Sequence, residues 1–411
     1  MALPFFSIHL KLKDYIDIII NLIFPFNKKK LEIKLIQILS TRYPNKYISI
    51  LPSGRLGFYL TLKELFKPND LIAFSSMSFP LYVKIAKQLN LKVKLIDIDK
   101  KDLNINVEYV KNLDENCKGL VVTHLFGNPC DIEEIKDICN KKNIILIEDC
   151  AQSFDSKYNG NETGNFGDAA VVSLSLLKIP TTLSGGILIT SHKLLHSKTE
   201  DWITNNLSNN FFLKLKLFFK ILIFILNSYP KIYSILSDKI FFFLKKNNPR
   251  IYRKILYSGM GMKNLPFDPK ERPKLSKFQL KIGINQIKDS LDMKIIRRKH
   301  SRYLQARLEK SKKIKIINNH YKGDWNHQYF VIFIKENFNN VYNNIFKKGI
   351  HVMDENVWDC SEYNFELENK FSEFENTKKF NKGLLRIQNN SFLNIKQIEH
   401  IADVILDSVN G

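Results

Sequence analysis

The chain has 411 residues, 44% of them hydrophobic, with 63 lysines and arginines against 41 acids for a formal net charge of +22. That length buries a substantial core and makes roughly two domains. The charge speaks for an anionic partner (nucleic acid, an anionic membrane surface or a phosphorylated substrate) or for a drift toward lysine spread over the surface, and without a zinc-finger or RNA-binding signature we expect no nucleic acid.

The five cysteines, Cys117, Cys130, Cys139, Cys150 and Cys360, are odd in number and scattered. With no C-x-x-C among them, neither a disulfide framework nor a zinc site is expected, and a reducing, cytoplasmic setting is. An apolar run over residues 16–26 is broken by Asp17 and Pro25 and leads to no small-residue cleavage site, so no signal peptide is read.

In chain order, residues 1–50 read as amphipathic helix, with Lys28, Lys29 and Lys30 marking a solvated break. Leu51-Pro52-Ser53-Gly54-Arg55 opens a helix to about Phe66. Strands are then expected near 70–76, 92–98, 119–124, 143–149 and 169–175, separated by helices near 80–90, 105–113 and 131–142. Apolar strands alternating with helices predict an α/β fold: a mostly parallel sheet covered on both faces, with ligands beyond the carboxyl ends of its strands. Asp149, Ser173 and the loop carrying Lys178 fall at such ends.

Residues 206–262 interrupt the alternation with two apolar runs, 211–226 and the stretch ending at 240–244. Each is shorter than the roughly 20 residues that span a bilayer, and lysines 214, 216 and 220 interrupt the first. Two readings stay open: a helical hairpin lying in a membrane interface, or a helical insertion packed on its own domain or on a dimer partner. A long helix over 274–309, strands near 329–334 and 384–387, a helix near 336–348 and a terminal helix over 395–409 read as a smaller α+β domain. The expected organisation is a large domain over 1–205, the insertion, and the small domain over 263–411.

The chemistry concentrates in residues 147–190. Lys178 has small, apolar or glycine neighbours; it is either a solvated surface cation or an enclosed amine, which is easier to deprotonate and can form a Schiff base with an aldehyde. Ile147-Glu148-Asp149-Cys150-Ala151-Gln152 is an acidic strand end, and alternation puts Glu148 and Asp149 on opposite faces. Ser53-Gly54-Arg55 at a helix start offers backbone N–H groups to an anion.

IEDCAQ followed by SLSLLKIPTTLSGG resembles the DegT/DnrJ/StrS family of sugar aminotransferases, from about residue 51 to 190 and more weakly from 272 to 409. The resemblance implies fold-type I architecture with a seven-stranded, mostly parallel sheet, and pyridoxal 5'-phosphate (PLP) as cofactor. It makes Lys178 the amine that holds the aldehyde and moves the substrate proton, and Asp149 the partner of the pyridine nitrogen. Ser53, Gly54, Arg55 and Ser173 form the phosphate cradle, Phe79 stacks on the ring unless it is core, and Gln152 lies near the ring or its 3'-hydroxyl. Arg272 stands where an asparagine of the neighbouring subunit reaches the phosphate, which implies a homodimer with shared sites.

The chain departs from the family at Arg55, commonly threonine, at Leu174-Ser175, usually Phe-His, and at Leu183-Ser184, usually Gly-Glu. Family members that dehydrate sugars carry histidine at the lysine position, so Lys178 favours transamination. His124 is read as a hydrogen-bonding strand-end residue. The implied function is transfer of an amino group from an amino acid, glutamate, to a nucleotide-activated keto-sugar for polysaccharide or glycoconjugate synthesis. A membrane-surface or scaffolding protein that keeps the fold without turnover is the alternative.

Overall fold

The computed structural model describes residues 3, 10–23, 28–207, 219, 222, 232–248, 251, 266–270, 273–317, 323–354, 358–363, 365, 367–368 and 374–411. The expected helical start is present as α1 (Leu12–Ile23) and α2 (Lys28–Ser40). Residues 47–51 correct that expectation: they form a strand, β1 (Tyr47–Leu51). Pro44 and a left-handed Asn45 stop the helix, and the Tyr-Ile-Ser-Ile-Leu run then pairs antiparallel with a strand about 140 positions away, Tyr47 facing Thr190 and Leu51 facing Gly186.

The remaining strands of the main sheet are β2 (Leu71–Ser75), β3 (Lys92–Ile96), β4 (Cys117–Thr123), β5 (Ile145–Asp149), β8 (Ala169–Ser173) and β9 (Gly186–Thr190), with a short pair, β6 (Lys157–Tyr158) and β7 (Asn161–Glu162), outside it. The order is β1-β9-β8-β5-β4-β2-β3, and β9 alone runs against its neighbours, giving the expected mostly parallel seven-stranded sheet. Crossovers place α3 (Gly54–Leu65), α4 (Pro80–Gln88) and α7 (Lys193–Asn206) on one face, and α5 (Val107–Lys111) and α6 (Ile132–Lys142) on the other.

Strand pleating sorts the core. Val121 and Ile147 bury against Phe58, Tyr82 and Val83, while their neighbours Val122 and Leu146 bury against Ile132 and Ile135. Near the β1 edge, Leu35 and Leu39 of α2 and Ile284 and Ile287 of a long helix cover Ile48, Val172 and Ile187. That long helix, Lys277–Leu308, begins three residues later than expected because Ser276 and Gln279 form a capping box.

Beyond it lies an antiparallel sheet, β10-β12-β14-β13, built from β10 (Ile314–Ile316), β12 (Tyr329–Ile334), β13 (Met353–Asp354) and β14 (Leu384–Gln388). Helices Phe338–Lys347 and Ile395–Asn410 cover it around Phe330, Ile332, Ile345 and Ile401. The intervening strand β11 (Gly323–Asp324) pairs with β6, which ties residues 323–328 to the carboxyl ends of β4 and β5. Of the apolar stretch over 206–262, helix Asp238–Asn247 is within the described residues; residues 208–218, 220–221, 223–231, 249–250 and 252–262 lie outside them. No described helix is long and apolar enough to cross a membrane.

Candidate active site

Parallel register brings the ends of β4, β5 and β8 together: Thr123 is level with Asp149, and Asp149 with Val171. Asp149, the last residue of β5, is 3% exposed. One carboxylate oxygen accepts the Ala151 N–H at 3.0 Å, and the other accepts the Thr123 hydroxyl at 3.3 Å. Ser78 lies 3.0 Å behind that hydroxyl. Burial pushes the Asp149 pKa up, while the Ala151 N–H and the Lys178 ammonium pull it back. The acid and the amine singled out by the sequence therefore share one electrostatic environment.

Lys178 is half-buried in the turn after β8. Two threonines close that loop: Thr182 N–H donates to the Leu174 carbonyl at 2.9 Å, and the Thr181 hydroxyl to the Ser175 carbonyl at 2.9 Å. The Thr181 hydroxyl also accepts the N–H of Leu183, a residue with φ 67. From the other side Gln328 Nε2 donates to the Leu177 carbonyl at 2.8 Å. The lysine is thus carried by a loop whose backbone is fixed from two directions.

The start of α3 meets this loop. Ser53 caps the helix, accepting the Leu56 N–H at 3.2 Å and keeping its own O–H to donate. A Cβ on Gly186 would fall 2.2 Å from the Gly54 nitrogen and 2.4 Å from the Ser53 carbonyl carbon, so only glycine lets β9 press on the helix start. Gly54 packs less tightly on β8, where a Cβ would lie 3.1 Å from the Val172 carbonyl oxygen and 3.4 Å from the Ser173 Cβ. The Ser173 hydroxyl in turn lies 3.3 Å from that of Ser175. Three hydroxyls and a helix N-terminus converge beside Lys178, a ready anion cradle. Gly186→Ala is expected to cost about 3 kcal/mol of stability by overpacking, read as a drop in the urea midpoint at unchanged slope.

Phe79, at the start of α4, is half-buried and packs against the core. It meets Tyr82 edge-on at 5.3 Å and Trp358 at 5.6 Å. Tyr82 is a site residue that sequence reasoning missed. It is 2% exposed and stacked on Phe58 at 3.9 Å; burial and the Asp149 carboxylate hold its pKa well above the ordinary tyrosine value, with Arg55 opposing. Its three-residue spacing from Phe79 on one helix face was the available signal.

Gln152 is at the strand end as expected, but its Oε1 is engaged by the Phe126 N–H at 3.1 Å. Phe126 holds φ 57, a turn that the sequence pattern did not reveal. Asn326 fixes the same corner, donating to the carbonyls of Gln152 at 2.7 Å and Phe154 at 2.9 Å. Arg272 lies outside the described residues.

Glu148 points to the opposite face from Asp149, as alternation requires. Its carboxylate accepts the N–H groups of Gly164, Phe166 and Gly167 at 2.6–2.8 Å and contacts His124 Nε2 at 3.0 Å. Burial alone would raise its pKa; His124 and the glycine N–H groups outweigh that and hold it below the ordinary value. His124 Nδ1 accepts the Cys130 N–H at 3.2 Å, which assigns the proton to Nε2. His124, Glu148 and Cys150 are close enough to hold a metal, yet the histidine nitrogens and carboxylate oxygens already serve each other and the backbone. We read the group as a structural tie for the loop before β8.

The sheet, its reversed β9 and the lysine loop at the strand ends define the fold of fold-type I PLP-dependent aminotransferases. The pattern of the DegT/DnrJ/EryC1/StrS aminotransferase family matches residues 45–209. A GDP-perosamine synthase of Escherichia coli O157:H7 is 28% identical over 155 residues, 37% of this chain and 43% of that protein. The chain thus matches less than half the length of such curated relatives. Over its whole length it superposes on the Helicobacter pylori aminotransferase PseC of pseudaminic acid biosynthesis, with TM-score 0.76 at 15% identity and all of both chains covered. A GDP-4-keto-6-deoxymannose-3-dehydratase solved with a trapped PLP–glutamate geminal diamine superposes with TM-score 0.73 at 18% identity, over 98% of this chain and 100% of that one.

Proposed function

We propose that this chain is a PLP-dependent aminotransferase that moves an amino group from glutamate to a nucleotide-activated keto-sugar. The observation that carries the reading is the buried Asp149 carboxylate at the end of β5, held by the Ala151 N–H and the Thr123 hydroxyl, with the loop of Lys178 leaving the end of the neighbouring β8. The residues fit the cofactor at each end. A buried carboxylate whose charge is disfavoured alone matches a cationic ring nitrogen, and the start of α3, capped by Ser53 and packed beside Ser173, offers N–H and hydroxyl donors to a phosphate.

Bound here, PLP supplies an aldehyde carbon to carry the amino group and a ring that withdraws electrons from the reacting centre. The chain supplies the rest. Asp149 keeps the proton on the ring nitrogen, held in place by Ala151 and Thr123. Ser53, Gly54 and Ser173 orient the phosphate, with Arg55 beside them. Phe79 covers one ring face, and Gln152, anchored through Phe126, lies at the ring's edge. Lys178 Nζ would take the proton from the donor carbon and deliver it to the cofactor's aldehyde-derived carbon on the far side of the transferred nitrogen, and the second half-reaction would reverse the transfer onto the sugar. The threonine-closed loop keeps that nitrogen in register and limits water around it.

Dehydration is the neighbouring chemistry, and the lysine at position 178, where the resemblance assigns histidine to dehydrating members, separates the two. Incubation with PLP, glutamate and a series of nucleotide keto-sugars tests this. The expected result is one 2-oxoglutarate formed per amino sugar; 2-oxoglutarate accompanied by a deoxygenated sugar would overturn it.

A further inference from the structure

The helix Asp238–Asn247 and the turn before it dock through one face. Tyr233 is 2% exposed, and its hydroxyl lies 3.0 Å from His351 Nδ1. The other ring nitrogen of His351 lies 2.8 Å from Asp238, and Phe242 stacks on Phe346 at 6.3 Å. The opposite side carries Ile235, 74% exposed, Ile240, 58% exposed, and Phe243, 63% exposed. Ile240 and Phe243, three residues apart, lie on one side of the helix, with exposed Lys239 beside them and exposed Ile235 in the turn before it. Phe219, 55% exposed, and Leu222, 40% exposed, add apolar surface in the same stretch of chain.

The net charge of this stretch of sequence, with Lys239 exposed beside the apolar side chains, bears on what covers the face. From residue 206 to 262 the sequence holds ten lysines and arginines against a single acid, Asp238, which is already engaged by His351. A second copy of the same face would bring two such cationic stretches together, with no carboxylate to offset them. An anionic bilayer presents the complementary surface: negative headgroups for the lysines and an apolar layer beneath for the isoleucines and phenylalanine. The described helices do not cross a membrane, so a helix docked there lies along the interface, with Lys239 reaching to the headgroups.

We infer that the Ile235–Ile240–Phe243 face of this segment is a peripheral docking site for an anionic lipid surface. This does not rest on the aminotransfer reading, because vesicle binding needs neither cofactor nor turnover.

The test is flotation of the full chain with phosphatidylglycerol-containing vesicles and with pure phosphatidylcholine vesicles, at low and high salt. The chain is expected to float with the anionic vesicles at low salt and to be released by high salt. An Ile235→Asp, Phe243→Asp double variant should lose at least about tenfold in partitioning, at unchanged melting temperature and unchanged mass in solution. Lys239→Glu, a surface change that leaves the apolar face intact, should lose about fivefold or more and keeps the test available if the double variant does not fold. Equal partitioning onto both vesicle types, or both variants floating like the parent, overturns the inference. So does a double variant that falls apart from a larger assembly, which would assign the face to a second copy of the chain.

Discussion

Lys178→Ala is expected to lower glutamate-dependent amino transfer by about 10⁴-fold or more, since proton transfer by a positioned side chain alone contributes up to about 10⁴. The amine has two tasks at one place: it bonds the aldehyde carbon of the cofactor, and it moves the substrate proton. Neither can pass to a neighbour, because the hydroxyls of Ser173 and Ser175 are far too weakly basic at neutral pH. The fold should survive, since Lys178 is half-buried and its loop is held by backbone bonds from Thr181, Thr182 and Gln328. Steady-state assays with a melting curve separate the outcomes. A variant that melts like the parent and keeps more than a hundredth of its activity contradicts the assignment.

Asp149→Asn should cost about 10²–10³ in turnover, the range for losing one preorganised electrostatic contact to a charge in a dry site. It should also make the cofactor-free protein more stable at neutral pH. The sign follows from linkage. Burial raises the carboxyl pKa in the folded state above its unfolded value, so the native chain holds the proton more tightly. Stability then falls as pH rises between the unfolded and folded pKa values, and the full penalty stands above both. Asparagine keeps an acceptor for Ala151 and removes that penalty. Added PLP should reverse the order of stabilities, because a ring cation favours the ionised aspartate and has no partner in the variant. Melting temperatures of both proteins, with and without PLP, read this directly; a variant less stable than the parent without cofactor argues against a charge held in waiting.

Much of this site was legible because its parts are local. β2, β3, β4, β5 and β8 are short runs rich in β-branched and apolar residues, so their carboxyl ends, and Asp149 with them, follow from pattern alone. The close approach at Gly186 is seen only in the structure, where the start of α3 presses on it. What the pattern could not show depends on partners far along the chain. β1 is a strand because β9 pairs with it. Tyr82 belongs to the site because α4 lies over the end of β5, and Gln328 and Trp358 reach it from the second half of the chain. The engagement of Gln152 depends on a left-handed Phe126 that no apolar periodicity encodes.

The central claim is that one amine holds the cofactor's aldehyde while the neighbouring acid holds its ring. Borohydride reduction of the PLP-loaded protein, followed by peptide mass spectrometry, tests it most directly. The account predicts a single phosphopyridoxyl group on the peptide containing Lys178, and its loss in Lys178→Ala. Label spread evenly over the surface lysines, or absent from position 178, would contradict it.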